Sequence, residues 1–236
     1  MGSIYLIRHG QASFGAADYD VLSPIGIRQS EALGSHLADL GVTFDRCLSG
    51  SLRRQQDTAR LALSCLQGAG HSVAALEIDP AFNEFDAEGV IRTLVPGLLT
   101  DEPEAMHILQ NAPQNRSEFQ RLFALMVQRW HAGEHADDGL ESWSAFVARV
   151  DSGLQRLLER AASGDNIALF TSGGTIAALL HLVTGITPGQ AFALNWQIIN
   201  TSLSQLKFRG SDVVLASFNS QAHVQLLRTP ELVTYR

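Results

Sequence analysis

The sequence has few cysteines and no long apolar run. Cys47 and Cys65 are its two cysteines, and their spacing matches no metal or redox motif, which favours a reducing compartment. No apolar run approaches the ~20 residues that a membrane span needs. Because the first predicted strand begins almost at Met1, we expect no signal peptide and a cytoplasmic location.

Basic charge is also scarce. Lysine and arginine together number 17 against 24 acidic residues, which gives a net charge of -7. This balance argues against nucleic-acid binding, since phosphate backbones require a basic face. Lys207 is the only lysine, which we interpret as a composition bias rather than a phosphate-binding device.

Short apolar segments alternate with helical ones, which predicts an α/β three-layer sandwich. Its central sheet is mostly parallel and has helices on both faces. The predicted strands are residues 3–8, 45–49, 74–78 and 166–171, followed by a hairpin of 203–208 and 213–218. The predicted helices are residues 24–40, 51–67, 142–162 and 174–184, with two amphipathic helices within 100–135. We expect one domain over residues 1–236, in which residues 85–140 form a helical insertion that covers the site.

The first predicted strand ends in residues suited to phosphate chemistry. Arg8 and His9 follow the apolar residues 4–7, and ligands of open α/β sheets collect beyond the carboxyl ends of such strands. A guanidinium group matches phosphate oxygens, and a neutral imidazole can attack phosphorus to form a covalent intermediate. An ion-paired arginine beside a hydrogen-bonded histidine is the alternative interpretation of this pair.

A second candidate phosphate site opens the next predicted helix. A serine-bearing turn at residues 49–52 leads into the helix, and the N–H groups at a helix N-terminus bind anions. Arg53 and Arg54 stand where the helix dipole disfavours cations, unless an anion lies between them. Two solvent-exposed arginines are the alternative interpretation.

Five motifs together resemble those of the histidine phosphatase superfamily, also called the phosphoglycerate mutase-like family. They are Leu6-Ile7-Arg8-His9-Gly10-Gln11-Ala12-Ser13, a Leu-Ser-x-x-Gly helix entry at residues 22–32, a Ser-x-x-Leu-x-Arg-x-x-x-Thr-Ala pattern at residues 49–59, the segment 82–89 with Glu84, and the strand-to-helix segment 167–176. Their order along the chain matches that of the family. The resemblance implies a phosphoglycerate mutase-like fold.

The resemblance also implies a role for each matching residue. His9 is the nucleophile that accepts the phosphoryl group. Arg8 and Arg54 hold its charged oxygens, and Glu84 protonates the leaving oxygen and then acts as a base. Ser13 either donates its hydroxyl to the phosphate or caps a turn. We expect no metal and no cofactor.

One position departs from the family pattern. The last motif of the family reads Ser-His-Gly-Gly, whereas this chain has Ser172 at the place of the second catalytic histidine. A hydroxyl donates one hydrogen bond and carries no positive charge, and losing one preorganised donor typically costs about 10²–10³ in rate. Ser172 and the backbone N–H of Gly173, at a helix start, remain candidate phosphate ligands.

Other histidines are candidates to replace the missing one. His107, His131 and His135 fall where the family places segments that cover the site, and ordinary surface roles are the alternative. His181 lies about 13 Å from Ser172 along a helix axis. We therefore interpret His181 as a packed or solvent-exposed helix residue.

The first loop favours a phosphatase over a mutase. Mutase-type relatives carry an asparagine six residues after the nucleophilic histidine, where this chain has Gly15. The loop also lacks their Glu-Ser-x-Trp-Asn signature.

The sequence therefore predicts a phosphomonoesterase that hydrolyses a small phosphorylated metabolite through phospho-His9, with reduced efficiency because of Ser172. A non-catalytic protein that retains the phosphate pocket is the main alternative, and a phosphoglycerate mutase is a further one. The expected partner is a small phosphorylated substrate or inorganic phosphate, not a nucleic acid or a membrane. No motif indicates an oligomeric state.

Overall fold

A six-stranded mixed sheet organises the larger of two compact units. The computed structural model describes residues 1–13, 19–112, 114–133 and 139–235. One unit comprises Met1–Asn83 and Arg149–Arg236, and the other comprises Glu84–Ala148. The strands are β1 (Gly2–Arg8), β2 (Arg46–Ser49), β3 (Leu76–Ile78), β4 (Asn166–Thr171), β5 (Leu203–Arg209) and β6 (Asp212–Ser220). Their order in the sheet is β3-β2-β4-β1-β5-β6.

The first four strands of this unit are parallel, and the last two form an antiparallel hairpin at one edge. The helices of the chain are α1 (Pro24–Asp39), α2 (Arg53–Gly68), α3 (Ala87–Leu98), α4 (Ala105–Gln110), α5 (Arg116–Ala132), α6 (Trp143–Glu159), α7 (Gly173–Thr184), α8 (Pro188–Asn195) and α9 (Ala222–Leu226). This arrangement confirms the predicted α/β class with a mostly parallel sheet.

Helices cover both faces of the sheet. On one face, α1 and α2 pack over a cluster that includes Ile7, Cys47 and Phe170. The neighbouring residue Leu6 points to the opposite face and is equally inaccessible to solvent, and α7 contacts β1 and β6. Strands buried on both faces require continuous apolar runs, which explains why the sequence predicts β1 and β4 closely.

Helix α1 begins where the sequence predicts. The Ser23 side chain accepts a hydrogen bond from the Gly26 N–H, and Pro24 is the first helical residue, as a capped helix start requires. On the face toward α2, a Cβ on Gly34 would lie 2.4 Å from the Ala62 carbonyl oxygen. The two helices therefore approach closely because this position has no side chain.

Three helices are not predicted by the sequence pattern. Helix α3 contains Pro96, and an internal proline argues against a helix, but the burial of residues such as Val90 and Leu94 overrides that preference. Helix α8 begins with a capping box between Thr187 and Gln190, a signal that the sequence does contain. Helix α9 has only five residues, too few for a periodic pattern.

The second unit is built around aromatic side chains. Trp130 is stacked on Phe85 at a ring distance of 4.8 Å and meets Trp143 edge-on at 5.6 Å. Its indole N–H donates to the Glu141 carbonyl oxygen over 2.8 Å. The two amphipathic helices predicted within 100–135 are present as α4 and α5. That this segment covers the site stays a prediction.

In the part of the chain that the structure describes, every helix is too short or too polar to cross a membrane.

His223 is a buried base that links the stability of the larger unit to pH. Its Nε2 lies 2.9 Å from the Thr201 hydroxyl, and its ring lies 6.1 Å from that of His36. Burial, and then the charge of His36, lowers the pKa of His223 to about 4. In the folded protein His223 therefore stays neutral at pH values where an exposed histidine is protonated.

We expect the protein to lose stability as the pH falls from about 6.5 to 4, because His223 binds a proton in the unfolded chain but not in the folded one. The free energy of unfolding lost through this residue is on the order of 3 kcal/mol. Urea unfolding at pH 7, 6, 5 and 4.5 measures this free energy. The His223→Gln variant has no titrating group at this position, so its free energy of unfolding should fall less steeply with decreasing pH. An equally steep fall in the two proteins would contradict the role of His223.

Candidate active site

The carboxyl ends of β1, β2 and β4 meet at one edge of the sheet. Arg8 at the end of β1 pairs with Thr171 at the end of β4, and Ser49 at the end of β2 pairs with Phe170. One residue further, the His9 N–H donates to the Thr171 carbonyl oxygen over 2.8 Å. This register brings His9 together with the segments that begin α2 and α7.

His9 is buried, and its two ring nitrogens have different partners. Its Nδ1 lies 2.7 Å from the Gly10 carbonyl oxygen, and Arg54 Nε lies 3.2 Å from its Nε2. Because a guanidinium group only donates, Nε2 must accept, and Nδ1 then carries the hydrogen that is donated to Gly10. This network assigns the neutral tautomer with a lone pair on Nε2.

Electrostatics keep His9 in that neutral form. Burial is the largest influence that lowers the pKa of His9 well below its ordinary value, and the positive charges of Arg54 and Arg8 lower it further. The hydrogen bond to Gly10 acts in the opposite direction and is outweighed. His9 is therefore an uncharged base at neutral pH, as a nucleophile must be.

Asp20 supplies the anion that the start of α2 requires. Its carboxylate accepts a hydrogen bond of 2.7 Å from the backbone N–H of Arg53 and pairs with the Arg54 guanidinium at 2.6 Å. This contact offsets the unfavourable position of two arginines at a helix N-terminus. Sequence reasoning misses Asp20, because it lies more than thirty positions before Arg54 and no local pattern marks it.

Arg8 lies beside the start of α7. It is buried, and one terminal nitrogen donates to the Ile198 carbonyl oxygen. A Cβ on Gly173 would lie 3.7 Å from Arg8 Nε and 2.2 Å from the Asn195 side-chain oxygen. The absence of a side chain at Gly173 therefore leaves room for the Asn195 side chain at the N-terminus of α7.

Ser172 does not cap α7 with its side chain, although it occupies the N-cap position. Its hydroxyl is fully buried and accepts a hydrogen bond of 2.9 Å from Gln55 Nε2. Gln55 Nε2 also donates to the Phe82 carbonyl oxygen over 3.2 Å. Sequence reasoning misses Gln55, since a glutamine in the first turn of a helix normally faces solvent.

The loop that carries His9 is held from several sides. The Gly10 N–H donates to the Thr58 hydroxyl over 2.9 Å, and a Cβ on Gly10 would lie 2.5 Å from the Gly26 carbonyl oxygen. The Asn200 side chain donates to the His9 carbonyl oxygen over 3.0 Å. The Asn200 N–H in turn donates to the carbonyl oxygen of Thr234. These bonds join the loop of His9 to the region of Thr234.

Ser13 and Glu84 are the remaining candidate residues of the site. Ser13 is half-buried, and its N–H donates to the Val21 carbonyl oxygen over 2.8 Å, so a contact of its hydroxyl with phosphate stays a prediction. Gly15, in the first loop, lies outside the described residues. Glu84 opens the second unit, where its carboxylate accepts from the Phe85 N–H over 3.2 Å. Its role as the acid stays a prediction.

The histidines considered as replacements have other neighbours. His107 Nδ1 lies 3.4 Å from the Asn111 amide nitrogen, and His131 packs edge-on against Trp143 at 4.5 Å. Both belong to the second unit. His135 lies outside the described residues. His181 Nδ1 lies 2.6 Å from the Ile186 carbonyl oxygen at the end of α7, in agreement with a packing role.

Among the described residues, no group of three or more histidine, cysteine, aspartate or glutamate side chains lies close enough together to hold a metal ion.

Two solved structures resemble this protein in fold. A putative alpha-ribazole-5'-P phosphatase from Escherichia coli superimposes with a TM-score of 0.64 at 22% identity, covering 94% of this chain and 97% of that one. Phosphoserine phosphatase from Entamoeba histolytica, in complex with 3-phosphoglyceric acid, gives a TM-score of 0.63 at 17% identity over 95% of this chain and 100% of that one. Both comparisons extend along nearly the whole chain.

The sequence comparisons assign the family. A 2,3-bisphosphoglycerate-dependent phosphoglycerate mutase from Rhizobium meliloti (strain 1021) is 27% identical over 210 residues, which cover 82% of this chain and 85% of the relative. The family model of the histidine phosphatase superfamily (branch 1) matches residues 4–118 and 111–221. Since these matches span most of the chain, the protein belongs to the histidine phosphatase superfamily.

Proposed function

We propose that this protein is a phosphomonoesterase that hydrolyses a small phosphorylated metabolite through a phosphohistidine on His9. The state of His9 carries the proposal: a buried neutral ring with a lone pair on Nε2, bonded to Arg54. A phosphoryl group has up to two negative charges to be balanced, and Arg54 and Arg8 supply positive charge around this nucleophile.

In the proposed first step, the substrate's phosphoryl oxygens accept hydrogen bonds from Arg8 and Arg54. The Arg54 Nε–H turns from His9 Nε2 to a phosphoryl oxygen, which frees the lone pair. His9 Nε2 then attacks phosphorus, so that an N–P bond forms while the bond to the leaving oxygen breaks. The Gly10 carbonyl oxygen stabilises the positive charge that develops on the ring through its bond with Nδ1–H.

The leaving oxygen takes a proton from Glu84 in this scheme. A water molecule then gives a proton back to Glu84 and attacks phosphorus, which breaks the N–P bond and releases inorganic phosphate. His9 returns to its neutral form with the hydrogen still on Nδ1. The proposed route uses no metal and no cofactor, and Arg8 and Arg54 supply the positive charge around the phosphoryl group.

Ser172 makes the proposed enzyme slow. It offers a neutral hydroxyl where relatives in the family offer an imidazole, and losing one preorganised donor aimed at developing charge typically costs about 10²–10³ in rate. The same feature favours the alternative of a protein that binds phosphate without turnover. The name of the Rhizobium relative supports a third candidate, phosphoglycerate mutase activity.

Hydrolysis of an aryl phosphate by chelator-treated protein tests the proposal. We expect slow release of phosphate by the wild type and a loss of at least about 10³-fold in His9→Ala, because no other group replaces the nucleophile. The matched control His71→Ala, a partly exposed histidine outside the site, should keep full activity. Retained hydrolysis in His9→Ala would refute the nucleophile assignment.

The lowered pKa of His9 predicts how activity depends on pH. Because this pKa is lowered, the acid limb of kcat/KM should lie below pH 6.5, with activity lost as His9 becomes protonated.

The same assay separates the alternatives. Phosphate binding without hydrolysis would indicate the non-catalytic alternative. Interconversion of phosphoglycerates only after addition of 2,3-bisphosphoglycerate would indicate a mutase.

The role of Glu84 predicts a dependence on the leaving group. In Glu84→Gln, we expect hydrolysis of an alkyl phosphate to fall by about 10²–10⁴-fold, because an alkoxide needs the proton, whereas a nitrophenolate leaves with little help. The ratio of kcat/KM for the two esters measures this difference. Glu88→Gln, an exposed position in the first turn of α3, is the control. If Glu84→Gln has the same ratio of kcat/KM for the two esters as the wild type, Glu84 is not the acid that protonates the leaving oxygen.

The position of Gln55 predicts that Ser172→His alone gains little. The new ring has to enter fully buried space beside the Gln55 amide, and overpacking of this kind typically costs about 1–3 kcal/mol of stability. The pair Ser172→His with Gln55→Ala provides the room, so it should recover stability and exceed the wild type in kcat. Thermal unfolding and aryl phosphate hydrolysis of the wild type, Ser172→His and the pair test this prediction. Equal stability of Ser172→His and the pair would show that Gln55 is not the obstacle.

A further inference from the structure

Gln55 and Ser172 form a buried pair whose hydrogen-bond directions are fixed by a third group. Gln55 Nε2 lies 2.9 Å from the Ser172 hydroxyl oxygen and 3.2 Å from the Phe82 carbonyl oxygen. A carbonyl oxygen can only accept, so the NH₂ side of the amide must be the side that faces Phe82. The same nitrogen therefore donates its other hydrogen to Ser172.

This direction leaves the hydrogen of the Ser172 hydroxyl available. A hydroxyl group has one donor hydrogen, and at Gln55 the Ser172 oxygen serves as the acceptor. Within the described residues, that bond is the only hydrogen bond of the Ser172 side chain. A buried hydroxyl with no acceptor for its hydrogen is unfavourable, and a ligand oxygen would remove the penalty.

The surroundings of Ser172 favour a negatively charged oxygen as the acceptor of this hydrogen. Ser172 immediately precedes α7, whose N-terminal N–H groups carry partial positive charge. Arg8 lies beside Gly173, and the backbone of His9 bonds to Thr171. Ser172 thus lies in the sequence between Thr171, which bonds to the backbone of His9, and Gly173, which lies beside Arg8.

The Gln55 side chain is enclosed at its other end. Its Oε1 accepts a hydrogen bond of 3.4 Å from the Leu52 N–H, and a Cβ on Gly50 would lie 2.0 Å from the same oxygen. The Phe82 carbonyl oxygen is held in turn by the Thr171 hydroxyl at 2.7 Å. The amide cannot rotate without breaking these bonds.

We infer that Gln55 is a positioning residue that aims the Ser172 hydroxyl at a phosphoryl oxygen of the bound substrate. The pair provides a neutral donor at the position where the family has its second histidine. The inference rests on the proposed function for the identity of the ligand, a phosphoryl group bound at His9.

The affinity for inorganic phosphate, measured by titration calorimetry, tests the pair through a double-mutant cycle. We expect Ser172→Ala to weaken binding on the order of tenfold, the usual effect of losing a hydrogen bond to a charged group. Gln55→Met, which keeps the length of the side chain but removes the donor, should weaken binding severalfold. In the Ser172→Ala background the same change should have no further effect. Gln56→Met, the neighbouring glutamine whose amide bonds to the Ser51 carbonyl oxygen, is the matched control and should bind as the wild type does.

Two outcomes would overturn the inference. Unchanged affinity in Ser172→Ala would show that the hydroxyl does not donate to the ligand. Equal weakening by Gln55→Met in both backgrounds would show that Gln55 acts on the fold rather than through Ser172. If Gln55→Met does not fold, as judged by near-UV circular dichroism, Gln55→Leu, which also removes the donor, takes its place in both backgrounds of the cycle.

Hydrolysis is assayed on the same samples to separate this inference from the proposed function. A wild type that binds phosphate but does not hydrolyse esters would refute the proposed turnover, while the cycle of affinities would still decide the role of Gln55. A wild type that does not bind phosphate would refute both.

Discussion

The candidate site depends on the parallel pairing of β1 with β4 and of β4 with β2. This register sets three strand ends level with one another, so that the residues that follow them are close in space although they are far apart in sequence. His9, the start of α2 and the start of α7 each follow one of these strands. A shift of one residue between β1 and β4 would turn every side chain of the shifted strand to the other face of the sheet and separate His9 from both helices.

The positive charge within the site is partly neutralised. Two arginines beside a buried imidazole would be strongly unfavourable without an anion, and the Asp20 carboxylate neutralises part of this positive charge by pairing with Arg54 at the start of α2. The neutral state of His9 avoids a third positive charge. The charges of these four side chains sum to one positive charge, which comes from two arginines, one aspartate and a neutral histidine.

The sequence predicts the fold class, most strand and helix bounds and the residues around His9, because these depend on apolar runs, a capped helix start and motifs of local sequence. It does not predict Asp20, Gln55 or Asn200. Each of these acts through hydrogen bonds to residues that are far away in the sequence, and such contacts leave no period or spacing to detect. The tautomer of His9 cannot be predicted from the sequence either, because it depends on the hydrogen-bond partners of the two ring nitrogens in the folded protein. Helix α3 is missed for a different reason, because its internal proline masks a buried apolar face.

The bonds between the loop that carries His9 and the region of Thr234 have a consequence for biosynthesis. The His9 carbonyl oxygen accepts a hydrogen bond from Asn200, which follows it by 191 positions, and the Asn200 N–H donates to the carbonyl oxygen of Thr234. On the ribosome, β1 must therefore wait until its neighbours in the sheet, β4 and β5, and then this support have been made. The surroundings of the His9 imidazole are completed only after residue 234 has left the ribosome.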